Sequence, residues 1–472
     1  MARSSGGELI KNTIIIGSSK IIIAAISFLL LPIMTKHLSV SDYGVVDLAL
    51  SYVALMTPIL LLGLDVGALR FLIEARGDNV QKAKVVSSLL VLVVIALIVG
   101  TSVFILVNSI FSLNLKNYLI LYFLSAVVFS LSQQMIRGDG NNFVFSVTSL
   151  TYAIVSATLI ITGLMFFNFK VEGIIVSYVI AAFISSMINF ATVRVWKFWS
   201  FNSIDKNLMK RMISYSLPIV PNGISGWVFR VSDRTIISIV IGSAANGIYA
   251  ISNKFSNVLG VLDNVLYTSW AEAAAVHIND EDRDVFFSKV FNTELSLFGY
   301  ASMIAIPSVG VIFPFFVDKA FYDAYLYFPP LVVGVVLNFV VGFYSVIYLA
   351  KMLTKQVMVT SVVGAVINVL LNITFVGIIG IWAAALSTAV TFGVLAVYRH
   401  FDLKKYINLS IDWSSVSMMM IGFFGVLVLY YMNSLIWNVV GIILSTTLAI
   451  LGHRVVLTDM FRKIWNKVPS KK

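Results

Sequence analysis

Apolar residues in this chain come in long runs separated by short polar breaks. A helix that crosses the hydrocarbon of a bilayer needs about 20 mostly apolar residues. Runs of that kind occupy 13–35, 43–65, 85–107, 117–137, 143–167, 171–193, 212–241, 246–270, 292–317, 327–350, 356–376, 379–398, 413–432 and 435–456, which predicts fourteen transmembrane helices. The first run, Ile14 to Met34, is too long for a cleaved signal peptide and lacks a small-residue cleavage site after it.

The polar breaks are sorted by charge. With the N-terminus placed in the cytoplasm, the inner segments collect twenty-five Lys and Arg, among them Arg70, Arg76, Lys82, Arg137, Lys210, Arg211, Arg399, Lys404, Lys405 and six in the C-terminal tail from Arg454. The outer segments hold four: Lys36, Lys116, Lys170 and Lys319. Basic residues accumulate on the cytoplasmic side of membrane proteins, so both termini are expected inside. A wrong number of spans would have scrambled this asymmetry.

Composition agrees. Of 472 residues 59% are apolar and 12% charged, against about 45–50% and 25% in soluble domains. Mean hydropathy is +0.95. The absence of cysteine removes thiol nucleophiles, cysteine-held zinc, iron–sulfur clusters and disulfides. The net charge of +11 is dispersed among inner loops without aromatic interleaving, which points to anionic lipid and away from nucleic acid. The four histidines (His37, His277, His400, His453) lie near span ends and do not cluster, and H-E-x-x-H, Walker A and G-x-G-x-x-G patterns are absent. Outer loops such as 168–170 and 242–245 are too short to present a catalytic domain.

The halves carry a weak repeat. Tyr43-Gly44-Val45 and Asn246-Gly247-Ile248 open spans two and eight, 203 residues apart, and Glu172-Gly173-Ile174 and Ile379-Gly380-Ile381 open spans six and twelve, 207 apart. This predicts two parallel six-helix lobes, residues 1–195 and 212–400, joined by a cytoplasmic linker at 196–211. Residues 401–472 supply two additional helices and a basic tail. The mixed-charge stretch within 271–291 is read as an interfacial helix or a solvated connector.

Ionised groups inside a bilayer cost about 2.5–3.5 kcal/mol each on insertion scales, and persist where they pair or face a water-filled cavity. Span seven carries Arg230, Asp233 and Arg234, whose spacing puts them on one helix face. One aspartate neutralises one arginine, leaving a positive surplus. The same span opens with Pro218 and Pro221, candidate hinges that interrupt the helix. Arg230, Asp233 and Arg234 either line a substrate cavity or form a structural ion pair with one arginine reaching outward. Lys20 and Lys254 either snorkel or line the cavity. Asp263 lies nine residues beyond Lys254, in a different sector. Asp47 reads as a helix-end acid stabilised by the dipole, Asp65 and Arg70 as a local salt bridge, and Arg137 as an inner anchor. Asp65, Glu172 and Glu294 sit at span ends within reach of water. The remaining set (Lys20, Arg230, Arg234 and Lys254 against Asp47, Asp233 and Asp263) is slightly cationic and suits an anion such as a lipid-linked phosphate.

Lys36-His-Leu-Ser-Val-Ser-Asp-Tyr-Gly44 followed by Leu62-Gly-Leu-Asp-Val-Gly-Ala-Leu-Arg-Phe71 resembles the start of the O-antigen and oligosaccharide-repeat flippases of the multidrug/oligosaccharidyl-lipid/polysaccharide (MOP) superfamily. Tyr215-Ser-Leu-Pro218, Ser232-Asp233-Arg234 and Gly247-Ile-Tyr249 resemble their seventh and eighth helices, and Asn368-Val-Leu-Leu-Asn372 with Gly377-Ile-Ile-Gly380 their eleventh-to-twelfth turn. The resemblance implies an all-α, MATE-like polytopic fold with alternating access between two lobes. It implies transport, without catalysis or cofactor, of an undecaprenyl-pyrophosphate-linked oligosaccharide from the inner to the outer leaflet of a bacterial plasma membrane for O-antigen or capsule synthesis. Arg230, Arg234, Lys20 and Lys254 would hold the pyrophosphate, with coupling to H+ or Na+ left open. Membrane lipids, a polysaccharide polymerase and a chain-length regulator are the expected partners. Two other readings are a cation-coupled drug exporter of the same fold, disfavoured by Lys20 and the lack of an acid in span one, and a membrane enzyme of glycan assembly.

The cysteine-free background makes the orientation testable. A single cysteine placed at Ser243 should react with an impermeant maleimide applied to intact spheroplasts, whereas one at Ser203 should react only after lysis. The reverse pattern would invert the topology.

Overall fold

The computed structural model describes the backbone of residues 6–110 and 117–452, and their side chains except at 6–14, 103–104, 106–110, 117, 222–226 and 229–230. Fourteen helices of 18 or more residues match the expected spans. They are α1 (Gly6–Leu29), α2 (Val40–Leu60), α3 (Asn79–Ile110), α4 (Asn117–Gly138), α5 (Asn142–Phe166), α6 (Val171–Val193), α7 (Val220–Val240), α8 (Ser243–His277), α9 (Arg283–Phe316), α10 (Ala324–Ala350), α11 (Thr354–Ile379), α12 (Trp382–Leu403), α13 (Trp413–Tyr431) and α14 (Leu435–Gly452). Among the described residues, twelve are long and apolar enough to cross a membrane by length and composition. The other two are α7, with Arg230, Asp233 and Arg234, and α8, with Lys254 and Asp263. The charges that lower their hydropathy are the ones singled out as site candidates.

Helix starts follow capping chemistry. The Ser39 hydroxyl accepts from the Asp42 N–H at 3.0 Å and donates to the Asp42 carboxylate at 2.8 Å, starting α2. Asn141 caps α5 through the Val144 N–H at 3.1 Å. Asp412 accepts from the Ser414 and Ser415 N–H groups and from the Ser415 hydroxyl (2.6 Å), which starts α13 and holds this carboxyl below its ordinary pKa.

The chain divides into two compact units, Met1–Thr235 and Ile236–Lys472. In the first, α6 packs against α4 and α5; in the second, α12 packs against α10 and α11 in the same order. In the second unit α13 and α14 pack on α9, and glycines set their approach. Met419 fills the space beside Gly299, Asn438 that beside Gly310, and Pro307 that beside Gly441. Tyr325 and Tyr430 stack with centroids 4.0 Å apart, and each hydroxyl donates to the other's backbone carbonyl, at 2.9 and 2.8 Å. Small residues are what lets helices pack closely in lipid.

One end of the first unit is tied by basic side chains. Arg76 donates to the carbonyls of Gly138 and Arg137, both at 2.7 Å, at the C-terminus of α4, where a cation meets orphan carbonyls. Lys82 pairs with Asp139 and lies 4.4 Å from the Phe198 ring centroid. Ser87 and Ser88 of α3 hold the segment 198–205 through Phe198, Ser200 and Asp205. The predicted linker is thus an ordered strap.

Two local expectations change. The span 212–241 is not one helix: Lys206–Ser216 ends in a 3-10 turn, Leu217–Ile219, that contains Pro218, and α7 begins at Val220 with Pro221 as its second residue. The stretch 271–291 forms no separate interfacial helix. The Ala-rich segment 271–275 has high helix propensity and carries α8 on to His277, and α9 starts at Arg283.

Beyond α2 the chain turns through two consecutive left-handed residues, Leu62 (φ 53°) and Gly63 (φ 71°), into a short helix, Leu64–Glu74. A Cβ on Gly63 would meet the Ser216 carbonyl, and one on Gly67 its hydroxyl. Gly63-x-x-x-Gly67 thus seats Leu64–Glu74 directly on Lys206–Ser216. Gly63→Ala should therefore lower the thermal midpoint of the purified protein, by the roughly 1–3 kcal/mol typical of overpacking. Gly377→Ala, where nothing lies within 4 Å, should leave it unchanged.

Candidate functional site

Asp47 and Ser51 are four residues apart on α2 and share a face. Trp227 and Arg234 are seven apart on α7 and share another. These faces meet. The Arg234 Nη1 donates to the Ser51 hydroxyl at 2.5 Å and lies 3.4 Å from Asp47 Oδ1. Trp227 Nε1 donates to the Ser51 carbonyl at 3.1 Å, and its ring stacks on Tyr52 at 6.0 Å. The ion pair is largely withdrawn from solvent, with side chains 16% and 18% exposed, so salt screens it little. Arg234 Nε is buried and has no hydrogen-bond partner among the described residues.

A row of aromatic rings leads to this pair. Phe129 stacks on Tyr152 at 4.6 Å, Tyr152 on Tyr178 at 6.2 Å, and Tyr122 lies 6.0 Å from Tyr178. Tyr178 and the buried Tyr43 are both within electrostatic reach of Asp47. Behind them, Asn189 of α6 accepts from Thr148 of α5 at 2.9 Å and donates to Ser132 of α4 at 3.0 Å, a buried polar seam across three helices.

The other predicted residues are not all gathered here. Asp233 is buried, 4% exposed. Lys20 is exposed on α1, and Lys254 is half-buried on α8. Asp263 of α8 accepts from Asn338 Nδ2 of α10 at 3.3 Å, inside the second unit. The side chain of Arg230 lies outside the described residues, as do those of Asn222 and Gly223 and the tail from His453. Pro218 and Pro221 flank the break before α7.

Several local expectations are corrected. Asp47 is an ion-pair partner of Arg234, not merely a dipole-stabilised helix-end acid. Asp65 accepts from Ser130 at 3.0 Å, and Arg70 pairs with Glu74 at 2.9 Å. Four residues place Arg70 and Glu74 on one face, whereas five separate Asp65 from Arg70. Glu294 is half-buried, with its Oε2 withdrawn from solvent and without a hydrogen-bond partner among the described residues.

Sequence reasoning misses Arg399. It sits in a basic stretch with Lys404 and Lys405 that reads as an inner loop, yet it is 1% exposed. Its Nη1 donates to the Val341 carbonyl at 3.0 Å and to Ser345. Its Nε and Nη2 donate to Thr360 at 3.1 and 2.6 Å, and Nη2 to Ser361 at 3.2 Å. One side chain therefore joins α10, α11 and α12 through neutral oxygens. The available signal is helical phase: Leu395 and Leu403, four residues either side, are both buried.

The sequence profile of the polysaccharide biosynthesis protein family matches residues 9–274, more than half of the chain. The chain belongs to that family. A search of curated proteins finds no significant match. Solved structures share its fold at low identity. The lipid II flippase MurJ in an inward closed conformation has a TM-score of 0.67 at 13% identity, covering 95% of this chain and 100% of that one. An inward-facing multidrug resistance MATE transporter of the MOP superfamily has 0.65 at 14%, covering 81% and 95%. A MOP superfamily transporter from Pyrococcus furiosus, described as having a binding pocket of reversed polarity, has 0.52 at 13%, covering 84% and 96%. The family member therefore has the MOP-superfamily fold expected from its sequence.

Arg399→Met keeps much of the side-chain volume but strips several oxygens of their donor. It should cost at least about 2 kcal/mol of stability, the loss expected for charge-assisted hydrogen bonds, read as a lower thermal midpoint of the detergent-purified chain. An unchanged midpoint would show that these bonds contribute no net stability.

Proposed function

We propose that this protein is a flippase that moves an undecaprenyl-pyrophosphate-linked oligosaccharide repeat unit from the cytoplasmic to the outer leaflet of the bacterial plasma membrane. It acts by alternating access between its N-terminal and C-terminal lobes and serves surface polysaccharide synthesis. Family membership and fold support a membrane carrier. The observation that carries the anionic substrate is Arg234: a guanidinium withdrawn from solvent, beside the Asp47 carboxylate at 3.4 Å, with a buried N–H that lacks an acceptor among the described residues. Buried donors without partners are costly, and a phosphate oxygen supplies the acceptor. Within the first unit Arg230 and Lys20 add positive charge and Asp233 moderates it, within the second Lys254 and Asp263 do the same, and the tyrosine row of the first unit offers ring faces and hydroxyls to sugars. Pro218 and Pro221 let α7 change its angle between states.

Coupling to H+ or Na+ falls to Asp263, a carboxylate held by a neutral amide and not by a cation. The same feature keeps a cation-coupled exporter as the second reading. A polysaccharide polymerase and a chain-length regulator are the proposed protein partners.

In a deletion strain, Arg234→Ala or Arg230→Ala should abolish surface polysaccharide at normal protein level, with lipid-linked glycan accumulating on the inner leaflet. Arg234→Lys should restore part of the output. Normal polysaccharide in both alanine variants would refute the assignment.

A further inference from the structure

The helix Lys206–Ser216 presents three faces. Leu208, Met212 and Ser216 are buried. A second face, Asn207, Lys210, Arg211 and Ser214, lines a cavity of about 760 Å³ whose opposite wall is Arg70, Phe71 and Glu74 of the short helix Leu64–Glu74. A third face, Lys206, Met209, Lys210 and Ile213, lines with Leu92 of α3 an adjoining groove of about 400 Å³ whose surface is almost wholly apolar. Lys210 and Ser214 belong to both. A charged chamber and an oily channel, both widely open to the surface, thus run side by side along one helix, within the first unit.

The charges in the chamber are unequal. Glu74 is engaged by Arg70 at 2.9 Å. Lys210 and Arg211 are exposed and make no ion pair among the described residues. Arg211 instead rests 5.7 Å from the centroid of Phe71, whose ring meets Tyr215 edge-on at 5.9 Å. The aromatic pair orients the guanidinium and leaves its N–H groups for an acceptor.

We propose that this chamber and channel form a docking site for the lipid-linked substrate before transport, with the diphosphate on Lys210 and Arg211, the adjacent sugar against Asn207, Ser214 and Tyr215, and the start of the polyprenyl chain along Leu92, Met209 and Ile213. The proposal rests on the flippase reading and adds a place separate from Arg234. Charge matching favours this occupant over bulk phospholipid. A diphosphate diester carries two negative charges for Lys210 and Arg211 of the chamber, with Lys206 beside them in the groove, whereas a phosphodiester carries one, and the chamber exceeds what a bare phosphate fills. The site lies at the end of the unit where Arg76, Lys82 and the 198–205 strap gather, the side that the Lys and Arg distribution assigns to the cytoplasm.

The test uses the full-length protein in detergent and native mass spectrometry with a polyprenyl-diphosphate-linked N-acetylhexosamine, with phosphatidylglycerol as competitor. Lys210→Ala/Arg211→Ala should weaken binding of the diphosphate lipid by at least about tenfold, as expected for two lost charge-assisted hydrogen bonds. Lys210→Arg should restore part of it, and phosphatidylglycerol should not displace the ligand. Both side chains are exposed, so the double variant should keep the wild-type thermal midpoint. Arg234→Ala should still hold the lipid at the docking site. Wild-type affinity in the double variant would overturn the docking site alone. Equal displacement by phosphatidylglycerol would reassign it to bulk lipid and overturn it too. No binding to the wild-type chain would overturn the flippase reading and this site together.

Discussion

A side chain that carries charge into an oily helix must find its partners inside the protein. That constraint organises both halves of this molecule, and the halves meet it differently. Among the described residues Arg234 leans on the Asp47 carboxylate and the Ser51 hydroxyl and keeps a buried N–H without an acceptor. Arg399 is surrounded by hydroxyls and carbonyls from two neighbouring helices. Both are guanidiniums, but Arg399 is a satisfied knot that binds α10, α11 and α12, while Arg234 is an incompletely satisfied one. Hydrogen bonds to neutral oxygens stabilise a buried cation without cancelling its charge. The fully bonded arginine is therefore read as structural and the partly bonded one as a ligand contact.

The same contrast runs through the backbone. Several helices here start on a capping side chain, among them α2, α5 and α13. The segment around 62–74 and 206–221 is irregular: it contains two left-handed residues, a 3-10 turn and two prolines, all within a short distance of Ser216. Irregular backbone at membrane depth is tolerated where it is enclosed by protein or lines a water-filled space. The two sequence motifs that pack there, Gly63–Phe71 and Tyr215–Pro218, are among those through which the chain resembles polysaccharide flippases. Part of the resemblance is therefore a packing requirement, because Gly63 and Gly67 accept Ser216 where larger residues would not.

Fourteen helices were legible because the length of an apolar run is a direct consequence of bilayer thickness. Partners were harder to read. Helical phase relates residues three or four apart, so it exposed the cluster on α7 and would have given Arg70–Glu74. It says nothing of Asp47, which reaches Arg234 from far earlier in the chain. Arg399 escaped for a related reason: charge counting treats every basic residue near a span end as a loop residue, whereas its helix turns this one inward. The end of α8 was misplaced because hydrophobicity stops near Trp270 while helix-forming alanines continue. Pro218 announced its break correctly, since its chemistry is local.

The last two helices are fastened to α9 through contacts that only small residues permit. Gly299 receives Met419, Gly310 receives Asn438, and the paired tyrosines 325 and 430 lock the other side. Without α13 and α14, α9 would show lipid a notched flank, with voids at Gly299 and Gly310, and the Tyr325 phenol of α10 would lose its acceptor. A twelve-helix relative that ends before this point would need larger side chains to fill both notches. The occupancy of those two positions then records, in any aligned set of relatives, whether the terminal pair was ever present.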